Sequence, residues 1–365
     1  MKLVFTVTND LCYDQRMQRI CGTLSAEGHE VTLVGRLRKT SPLLPPAPYR
    51  QVRLACWFEK GKLFYLEYNF RLFWWLLLQK SFDVYTGIDL DTIMPCLGVA
   101  RLKGKKCYYD AHEYFSEVPE VVGRPLTKWI WEMVARIGIP HVDKAYTVGP
   151  ALAQIFQQRY GIPFEVVRNM PFQNSNPSST PPPLNSSTPP IILYQGVLNA
   201  GRGLETAIAA MQKIEGAVLW LAGEGDLSQE LRQLAKDLQV ECKVRFLGYL
   251  NPVELRSVTQ QASIGLNLLE NRGLSYFYSL ANKAFDYVQA GVPSIQMNFP
   301  EYLALQEEHR VFYLINRLEV EVLVQAIEHL LGDGELYLAL EENCRKAAVE
   351  WCWEMEKVRL VEMYR

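Results

Sequence analysis

Short β-rich runs alternate with helical patterns along the first half of the chain. Strands that alternate with helices form a parallel sheet covered on both faces. The predicted strands are residues 2–7, 30–34, 51–56, 83–86, 106–109, 143–148 and 165–168, and the main helices are 14–27, 60–80, 125–137 and 149–159. A sheet of this kind binds ligands beyond the carboxyl ends of its strands.

The same alternation resumes after residues 172–190, where proline, serine and asparagine replace residues that could pack. That composition is typical of a linker. Beyond it we predict strands that start near residues 191, 217, 243, 263, 294 and 311, and helices near 203–213, 227–238, 252–261, 319–331 and 334–349. The pattern therefore predicts an α/β protein of two doubly wound domains facing each other across a cleft.

Residues 278–293, YSLANKAFDYVQAGVP, predict one more helix in the second domain. Ser279 is the expected cap, and Gly291 with Pro293 ends the helix. Lys283 and Asp286 lie near its positive end, where helix N–H groups attract anions. A lysine strengthens that field, so the segment predicts an anion site.

Composition and charge narrow the choice of partners. The 365 residues carry 38 basic and 40 acidic side chains, a net charge of −2, which gives no global attraction for nucleic acid. Eight cysteines lack C-x-x-C spacing and serve as small hydrophobes. The longest apolar stretch, residues 72–78, is much shorter than the ~20 residues that span a bilayer, and the first residues are typical of a strand rather than a signal peptide. We expect a cytoplasmic protein.

Glycines mark the predicted strand ends of the second domain. They are Gly196, Gly223, Gly225 and Gly248. Each is explained by turn geometry, or by close approach of backbone to a ligand. Arg202 lies just before a predicted helix and can fork onto phosphate oxygens, so Arg202, Lys283 and the helix start at Ser279 together predict a phosphate site. The spacing fits neither G-x-G-x-x-G nor G-x-x-x-x-G-K-[ST], which argues against a dehydrogenase.

Six stretches, in this order, resemble the family 4 (group 1) retaining glycosyltransferases of GT-B fold. They are GHEVTLVG (28–35), YYDAHEYFSE (108–117), YQGVLNAGRGLETAI (194–208), LWLAGEGD (219–226), VRFLGYL (244–250) and SLANKAFDYVQAGVP (279–293). The resemblance implies an acceptor-binding Rossmann-like domain at 1–171, a linker at 172–190, a nucleotide-sugar-binding Rossmann-like domain at 191–350, and a helix at 351–365 that returns to the first domain.

The resemblance also implies the activity: transfer of a sugar from a nucleotide diphosphate donor, of UDP or GDP type, to a glycan or lipid-linked acceptor. Relatives hold the diphosphate with an arginine and a lysine, but here Val197 takes the first place and Arg202 the second. Their paired glutamates match Tyr278 and Asp286, and Lys283 is expected to replace the lost charge. The implied donor-binding residues are Gly196, Gly223, Gly225, Tyr249, Leu250, Tyr278, Ser279, Leu280 and Asp286.

His112 directly follows a predicted strand, and the family has a histidine at this place. We assign it an active-site role with Arg202 and Lys283, in which it contacts the donor sugar or orients the acceptor; the alternative is a hydrogen-bonded structural histidine. Asp110 beside it is interpreted as structural. The residues expected on the acceptor side are Asp14, Gln15, Arg16 and Glu113. An exposed helix face explains Arg16 equally well.

No metal or cofactor is expected. The five histidines form no ligand pattern with Asp or Glu, and DLD at residues 89–91 is interpreted as a solvated loop or strand end rather than a metal site. A leaving nucleotide diphosphate gains negative charge, so positive groups must face it; Arg202, Lys283 and the N–H groups after Ser279 are the expected set. The resemblance implies retention through front-face attack, in which the leaving phosphate takes the acceptor proton.

Aromatic and basic residues concentrate at 60–80 and 124–138. Buried helix stripes explain them, but Trp74, Trp75, Trp129 and Trp131 beside cations also suit peripheral contact with the inner face of a membrane. A second alternative concerns the activity: the missing carboxylate at Tyr278 is compatible with a non-catalytic sugar-nucleotide-binding or scaffold subunit of a glycan-assembly system.

Overall fold

The computed structural model describes residues 1–12, 14–173 and 189–365, which form two compact units. Unit 1 comprises Met1–Asn169 and Glu356–Arg365, and unit 2 comprises Met170–Met355. Most of the predicted linker, residues 174–188, lies outside the described residues. Each unit is a parallel sheet with helices, so the predicted α/β class and doubly wound architecture are confirmed.

Unit 1 contains a seven-stranded sheet in the order β3-β2-β1-β4-β5-β6-β7. Its strands are β1 (Lys2–Thr6), β2 (Glu30–Leu37), β3 (Arg50–Ala55), β4 (Val84–Ile88), β5 (Lys106–Ala111), β6 (Lys144–Thr147) and β7 (Phe164–Val166). Its helices are α1 (Gln15–Ala26), α2 (Gly61–Leu78), α3 (Leu90–Leu102), α4 (Pro119–Val122), α5 (Pro125–Gly138) and α6 (Pro150–Tyr160). The strand order reverses between β1 and β4, which is where a doubly wound sheet opens to a ligand.

Unit 2 contains a six-stranded sheet in the order β10-β9-β8-β11-β12-β13. Its strands are β8 (Ile191–Gln195), β9 (Val218–Ala222), β10 (Val244–Gly248), β11 (Ile264–Asn267), β12 (Ser294–Met297) and β13 (Phe312–Ile315). Its helices are α7 (Leu204–Ala210), α8 (Ser228–Asp237), α9 (Pro252–Thr259), α10 (Leu274–Phe277), α11 (Asn282–Gln289), α12 (Pro300–His309), α13 (Val320–Gly332) and α14 (Gly334–Glu350). The order reverses here between β8 and β11.

The last helix, α15 (Trp353–Met363), lies mostly in unit 1. Tyr364, just beyond it, is fully buried in that unit. Its ring centroid lies 5.6 Å from that of Phe5 and 5.2 Å from that of Tyr108, and its hydroxyl lies 3.1 Å from Thr86 Oγ1. The end of the chain therefore completes the core of unit 1.

Two local predictions need correction. Residues 89–91 do follow the end of β4, as one alternative predicted, but they are not a solvated loop, because they begin the buried helix α3, in which Asp91 is almost fully buried. The helix expected to start at Ser279 begins at Asn282 with Ala281 at its N-cap. Ser279 belongs to the turn that ends α10, since its N–H donates to the Tyr276 carbonyl, 3.2 Å away.

Candidate functional site

In unit 2, the loops at the carboxyl ends of β8, β9 and β10 meet backbone to backbone. A Cβ placed on Gly223 would lie 1.9 Å from the carbonyl oxygen of Gly196, and both glycines have positive φ values, +146° and +130°. The Gly223 N–H donates to the Gly248 carbonyl at 2.8 Å. Only glycine fits at position 223, so this loop contact is a requirement of the fold at the sheet opening.

Gly225 is constrained in the same way. A Cβ there would lie 2.5 Å from the Leu198 carbonyl oxygen and 2.5 Å from Asn199 Oδ1. The same Asn199 oxygen accepts the Asp226 N–H at 3.0 Å. The predicted strand-end glycines therefore lie together and bring the 196–199 and 223–226 loops into contact.

Lys283, in the first turn of α11, reaches the same place. A Cβ placed on Gly196 would lie 3.4 Å from Lys283 Nζ, and the amine is 3.9 Å from the centroid of the Tyr194 ring. The side chain is only 8% exposed, and among the described residues its amine makes no hydrogen bond or ion pair. Burial and then the charge of Arg202 lower the pKa of Lys283 well below its ordinary value, against the opposing effect of Asp286.

Arg202 follows the β8 loop and lies near Lys283. Its guanidinium carbon is 4.8 Å from the centroid of the Tyr276 ring, and its Nε is buried without a hydrogen-bond partner among the residues described. Two neighbouring cations with little compensation from protein groups form a site that an anion would complete.

The predicted contribution of Ser279 changes with the start of α11. The Ala281 N–H is not available to a ligand, because it donates to the Tyr302 hydroxyl at 3.0 Å. Ser279 is half-buried and Leu280 is buried, both ahead of the helix. The N-terminal field of α11 therefore acts from Asn282 onward, three residues later than the sequence indicated.

Asp286 lies one turn after Lys283 and is oriented by a polar chain. Gln195, the last residue of β8, donates to Asp286 Oδ2 at 2.9 Å and accepts from the Thr259 hydroxyl at 2.7 Å. The carboxylate is half-buried. Gln195 and Thr259 were missed from the sequence, although Gln195 ends a strand at the sheet opening, which is the signal that could have identified it.

Three other residues predicted to bind the donor lie at the ends of α10 and β10. Tyr278 is half-buried at the end of α10 with its ring 4.9 Å from that of Phe277. Tyr249 is exposed and Leu250 is half-buried, both directly after β10.

In unit 1, acidic residues and His112 gather at the reversal between β1 and β4 and at the neighbouring end of β5. Register explains this: Thr6 pairs with Gly87, and Ile88 pairs with Asp110. The Asp89 carboxylate accepts the His112 N–H at 2.9 Å, and His112 Nε2 lies 3.1 Å from Asp110 Oδ2. Asp89 was missed as a site residue, although it directly follows β4.

The two carboxylates determine the charge of His112. Burial alone would lower its pKa, but Asp110 and Asp89 raise the pKa of His112 to about 9. His112 Nδ1 is 3.8 Å from Asp89 Oδ2, beyond hydrogen-bond distance, and the side chain is partly exposed. His112 is therefore an imidazolium at neutral pH whose Nδ1–H can donate to a ligand oxygen.

Arg16, which was expected on the acceptor side or on an exposed helix face, does not lie on an exposed face. It is buried, with Nη2 2.9 Å from Asp110 Oδ1 and Nε 3.3 Å from Asp110 Oδ2, and Nη1 donates to the Val167 carbonyl at 2.9 Å. Although burial opposes it, the charges of Arg16 and His112 lower the pKa of Asp110. Arg16 and Asp110 thus form a structural ion pair that supports His112.

The other residues predicted on the acceptor side differ in their exposure to solvent. Asp14 is buried and caps α1, accepting the Met17 N–H at 3.0 Å, which makes it a structural residue. Gln15 and Glu113 are exposed. Asp91 accepts from Thr8 Oγ1 at 2.5 Å, and burial raises the pKa of Asp91 to about 7.

Two family models match the chain. The model described as glycosyl transferases group 1 matches residues 178–347, and the model described as glycosyltransferase family 4 matches residues 15–170. Together they cover most of both units.

The chain belongs to the group 1, family 4 glycosyltransferases.

Curated relatives match this glycosyltransferase over part of their length. It is 25% identical over 162 residues to the lipopolysaccharide core biosynthesis glycosyltransferase LpsE of Rhizobium meliloti, covering 44% of this chain and 45% of LpsE. It is 29% identical over 154 residues to glycogen synthase of Mycobacterium tuberculosis, covering 41% of this chain and 33% of the synthase. The match thus spans less than half the length of either relative.

Solved structures show the fold of the glycosyltransferase. Sucrose-phosphate synthase from Thermosynechococcus elongatus has a TM-score of 0.80 at 16% identity, covering 100% of this chain and 98% of that one. HepE of Anabaena, solved with UDP and with UDP-glucose, has a TM-score of 0.74 at 12% identity, covering 100% of this chain and 99% of HepE. The fold is GT-B, as the sequence resemblance implied.

One cluster in this glycosyltransferase has ligand types that suit a metal. Within the described part of the chain, the only group of three or more such side chains is Glu308, His309 and Glu350 in unit 2. His309 Nε2 is 3.1 Å from Glu350 and 3.7 Å from Glu308. The sequence showed no such pattern, because Glu350 is distant in the chain.

Proposed function

We propose that the protein transfers a sugar from a nucleotide diphosphate donor of UDP or GDP type to a glycan or lipid-linked acceptor, with retention of configuration and without a metal. One observation carries the proposal. The buried amine of Lys283, which makes no hydrogen bond or ion pair with the described residues, lies beside Arg202 and the Gly196 backbone at the reversal of the unit 2 sheet. Family membership and the UDP-bound HepE relative support a nucleotide diphosphate as the anion.

The chemistry follows from charge. When the bond from sugar to phosphate breaks, negative charge grows on the leaving diphosphate, and Lys283 and Arg202 stabilise it. Asp286, fixed by Gln195, accepts hydrogen bonds from ribose or sugar hydroxyls. In unit 1, we assign to the Nδ1–H of His112 the orientation of a sugar or acceptor oxygen. In front-face attack the acceptor oxygen forms its bond to the anomeric carbon on the face from which the diphosphate departs, and the leaving phosphate takes the acceptor proton. Retention by this route needs no carboxylate nucleophile.

Calorimetric titration with UDP, GDP, ADP and NAD tests the donor class. We expect UDP or GDP to bind and NAD to give no heat. Hydrolysis of the matching nucleotide sugar, followed by NMR of the released sugar, then reports the anomer, and the same assay with EDTA reports metal dependence. No heat with any nucleotide, an inverted product or full loss with EDTA would each contradict the corresponding part of the proposal.

A second candidate function is a non-catalytic sugar-nucleotide-binding or scaffold subunit. It is favoured by Tyr278, which stands where relatives carry a carboxylate. This alternative predicts that the nucleotide binds but that no nucleotide sugar is hydrolysed or transferred.

A further inference from the structure

Unit 1 exposes a set of large apolar side chains on α2, on α5 and in the loop before α2, which we call the apolar face. Its members are Trp57, Phe58, Leu63, Leu66, Phe70, Trp74, Leu78, Leu126, Trp129, Met133 and Ile137. Soluble monomers rarely expose so many large apolar residues together, and such patches mark interaction sites. Within the described residues, every helix is too short or too polar to cross a bilayer.

Helix α2 carries two apolar stripes where a core needs one. The buried stripe is Phe64, Tyr68, Leu72 and Leu76. The exposed stripe is Leu63, Leu66, Phe70, Trp74 and Leu78, again spaced by three or four residues. A surface helix of a globular domain normally presents polar residues on its outer side, so the second stripe is not explained by folding.

Helix α5 also carries an exposed apolar stripe, and it touches α2. Leu126, Trp129, Met133 and Ile137 form its exposed stripe. The helices meet through Tyr65 and Trp131, whose ring centroids lie 5.3 Å apart. Of the tryptophans predicted to be interfacial, Trp74 and Trp129 are exposed, whereas Trp75 and Trp131 are half-buried.

The loop before α2 is held so that its aromatic residues stay outside. Both carboxylate oxygens of Glu67 accept the Trp57 N–H at 2.9 Å, and one also accepts the Phe58 N–H at 2.9 Å. Arg71 binds Glu67 at 2.7 Å and lies 4.7 Å from the Trp57 ring centroid. Trp57 is nevertheless 84% exposed. These bonds fix the backbone and leave the indole available to a partner.

Charge identifies the partner. Residues 57–80 and 122–138 hold seven basic and three acidic side chains, although acidic residues outnumber basic ones in the whole chain. Glu67 and Glu132 pair with Arg71 and Arg136. Lys60, Lys62, Lys80 and Arg124 are exposed and make no ion pair among the described residues. Exposed tryptophan, leucine and phenylalanine beside free cations suit an anionic lipid surface. A second copy docked symmetrically would instead oppose like charges.

We propose that the apolar face of unit 1 docks on a lipid bilayer containing anionic headgroups. The apolar side chains enter the headgroup region, and the lysines and Arg124 contact lipid phosphates. This inference goes beyond the proposed function and does not depend on it.

Flotation with vesicles tests the docking. We expect the protein to float with phosphatidylcholine vesicles that contain phosphatidylglycerol, to bind pure phosphatidylcholine at least about ten-fold more weakly, and to be released by high salt. The variant Leu66→Ser with Phe70→Ser should lose at least about ten-fold in vesicle affinity. The matched control is Val253→Ser with Leu338→Ser, which removes two apolar residues of similar exposure in unit 2 (78% and 63%, against 70% and 64%); it should float like the unchanged protein.

Other outcomes would overturn the proposal. The first is that the protein floats with no vesicle, and the second is that both double variants lose the same vesicle affinity. The third is that the protein binds no vesicle but forms a dimer in light scattering, and that Leu66→Ser with Phe70→Ser dissociates this dimer. Circular dichroism and thermal unfolding of each variant serve as the folding control, because the substitutions lie in unit 1 and the nucleotide site lies in unit 2. A protein that binds nucleotide but not vesicles refutes the docking alone, and one that floats but binds no nucleotide refutes the proposed function alone.

Discussion

At the scale of single residues, Lys283 combines a cost to folding with a gain in binding. Its amine is buried, so protonation in the folded state is disfavoured while the unfolded chain keeps an ordinary lysine pKa. Stability should therefore fall as pH drops below that ordinary value. A bound diphosphate would supply the missing negative partner and raise the pKa again.

Replacing Lys283 by Met should separate the two effects. We expect Lys283→Met to raise Tm by about 2 °C or more, since a poorly paired buried amine is removed. Nucleotide affinity should fall about 10- to 100-fold, because a charge-assisted hydrogen bond contributes about 1.5–3 kcal/mol. Differential scanning calorimetry and titration calorimetry measure the two quantities. Lys346→Met, at an exposed lysine of the same unit, should change neither, and undiminished affinity in Lys283→Met would refute its role.

The contribution of His112 to folding stability should depend on pH in the opposite direction to that of Lys283. Its pKa is raised to about 9 in the folded protein, above the unfolded value of about 6.5, so its stabilisation is complete below about pH 6.5 and is lost as pH rises through about 9. The size is on the order of 3 kcal/mol. Urea unfolding at about pH 6 and about pH 10 should show that the stability of the unchanged protein falls by about this much relative to that of His112→Asn, because the opposite contribution of Lys283 is the same in both proteins.

His29 provides the control for that measurement. It lies in the same unit, but burial and the N-terminal charge lower the pKa of His29, so His29→Asn should leave the loss at high pH in place. If His112→Asn retained the full loss, the ion pairs drawn here for His112 would be wrong.

At the scale of elements, the contact between the β8 and β9 loops can be tested at Gly223. A Cβ there meets the Gly196 carbonyl oxygen at 1.9 Å, so Gly223→Ala must separate the loops that hold Lys283 in place. We expect a fall in Tm and loss of nucleotide binding by at least about ten-fold. Gly216→Ala is the matched control: its φ is also positive, +70°, but nothing lies within 4 Å. It should cost about 1–2 kcal/mol of stability and leave binding unchanged.

Sequence pattern predicted the strands well because each is a short apolar run between polar turns. β12 was predicted to start at Ser294, where it does start. Helix α3 was missed because Asp89 and Asp91 resemble a solvated turn, whereas the register of β1, β4 and β5 buries them. The start of α11 was also misplaced, since it depends on Tyr302, which lies 21 residues further along.

The same limit applies to the candidate site. The strand-end glycines, Lys283 and His112 were predicted as site residues because strand ends and helix starts are visible in a local stretch of sequence. The partner of Arg16 is 94 residues away, and nothing in a local pattern distinguishes a buried ion pair from an exposed helix face. Long-range pairing is therefore what sequence reasoning could not supply.

At the scale of the whole molecule, the end of the chain should stabilise one unit selectively. Tyr364 is fully buried in unit 1, and its hydroxyl lies 3.1 Å from Thr86 Oγ1 and 3.2 Å from the Tyr146 hydroxyl. Tyr364→Ala leaves a cavity beneath the central strands and should destabilise unit 1 by about 3–5 kcal/mol. Tyr364→Phe keeps the ring and should cost only about 1 kcal/mol.

Hydrogen exchange followed by mass spectrometry measures where the stability is lost, since exchange reports local and unit-wide opening separately. In Tyr364→Ala we expect faster exchange in β1, β4, β5 and β6, whose residues surround the ring, and unchanged exchange in β8 to β13. Nucleotide affinity should also be unchanged, because Gly196, Arg202 and Lys283 all belong to unit 2. Faster exchange in the unit 2 strands, or nucleotide binding lost together with Tyr364, would show that the two units do not unfold independently and that the donor site depends on unit 1.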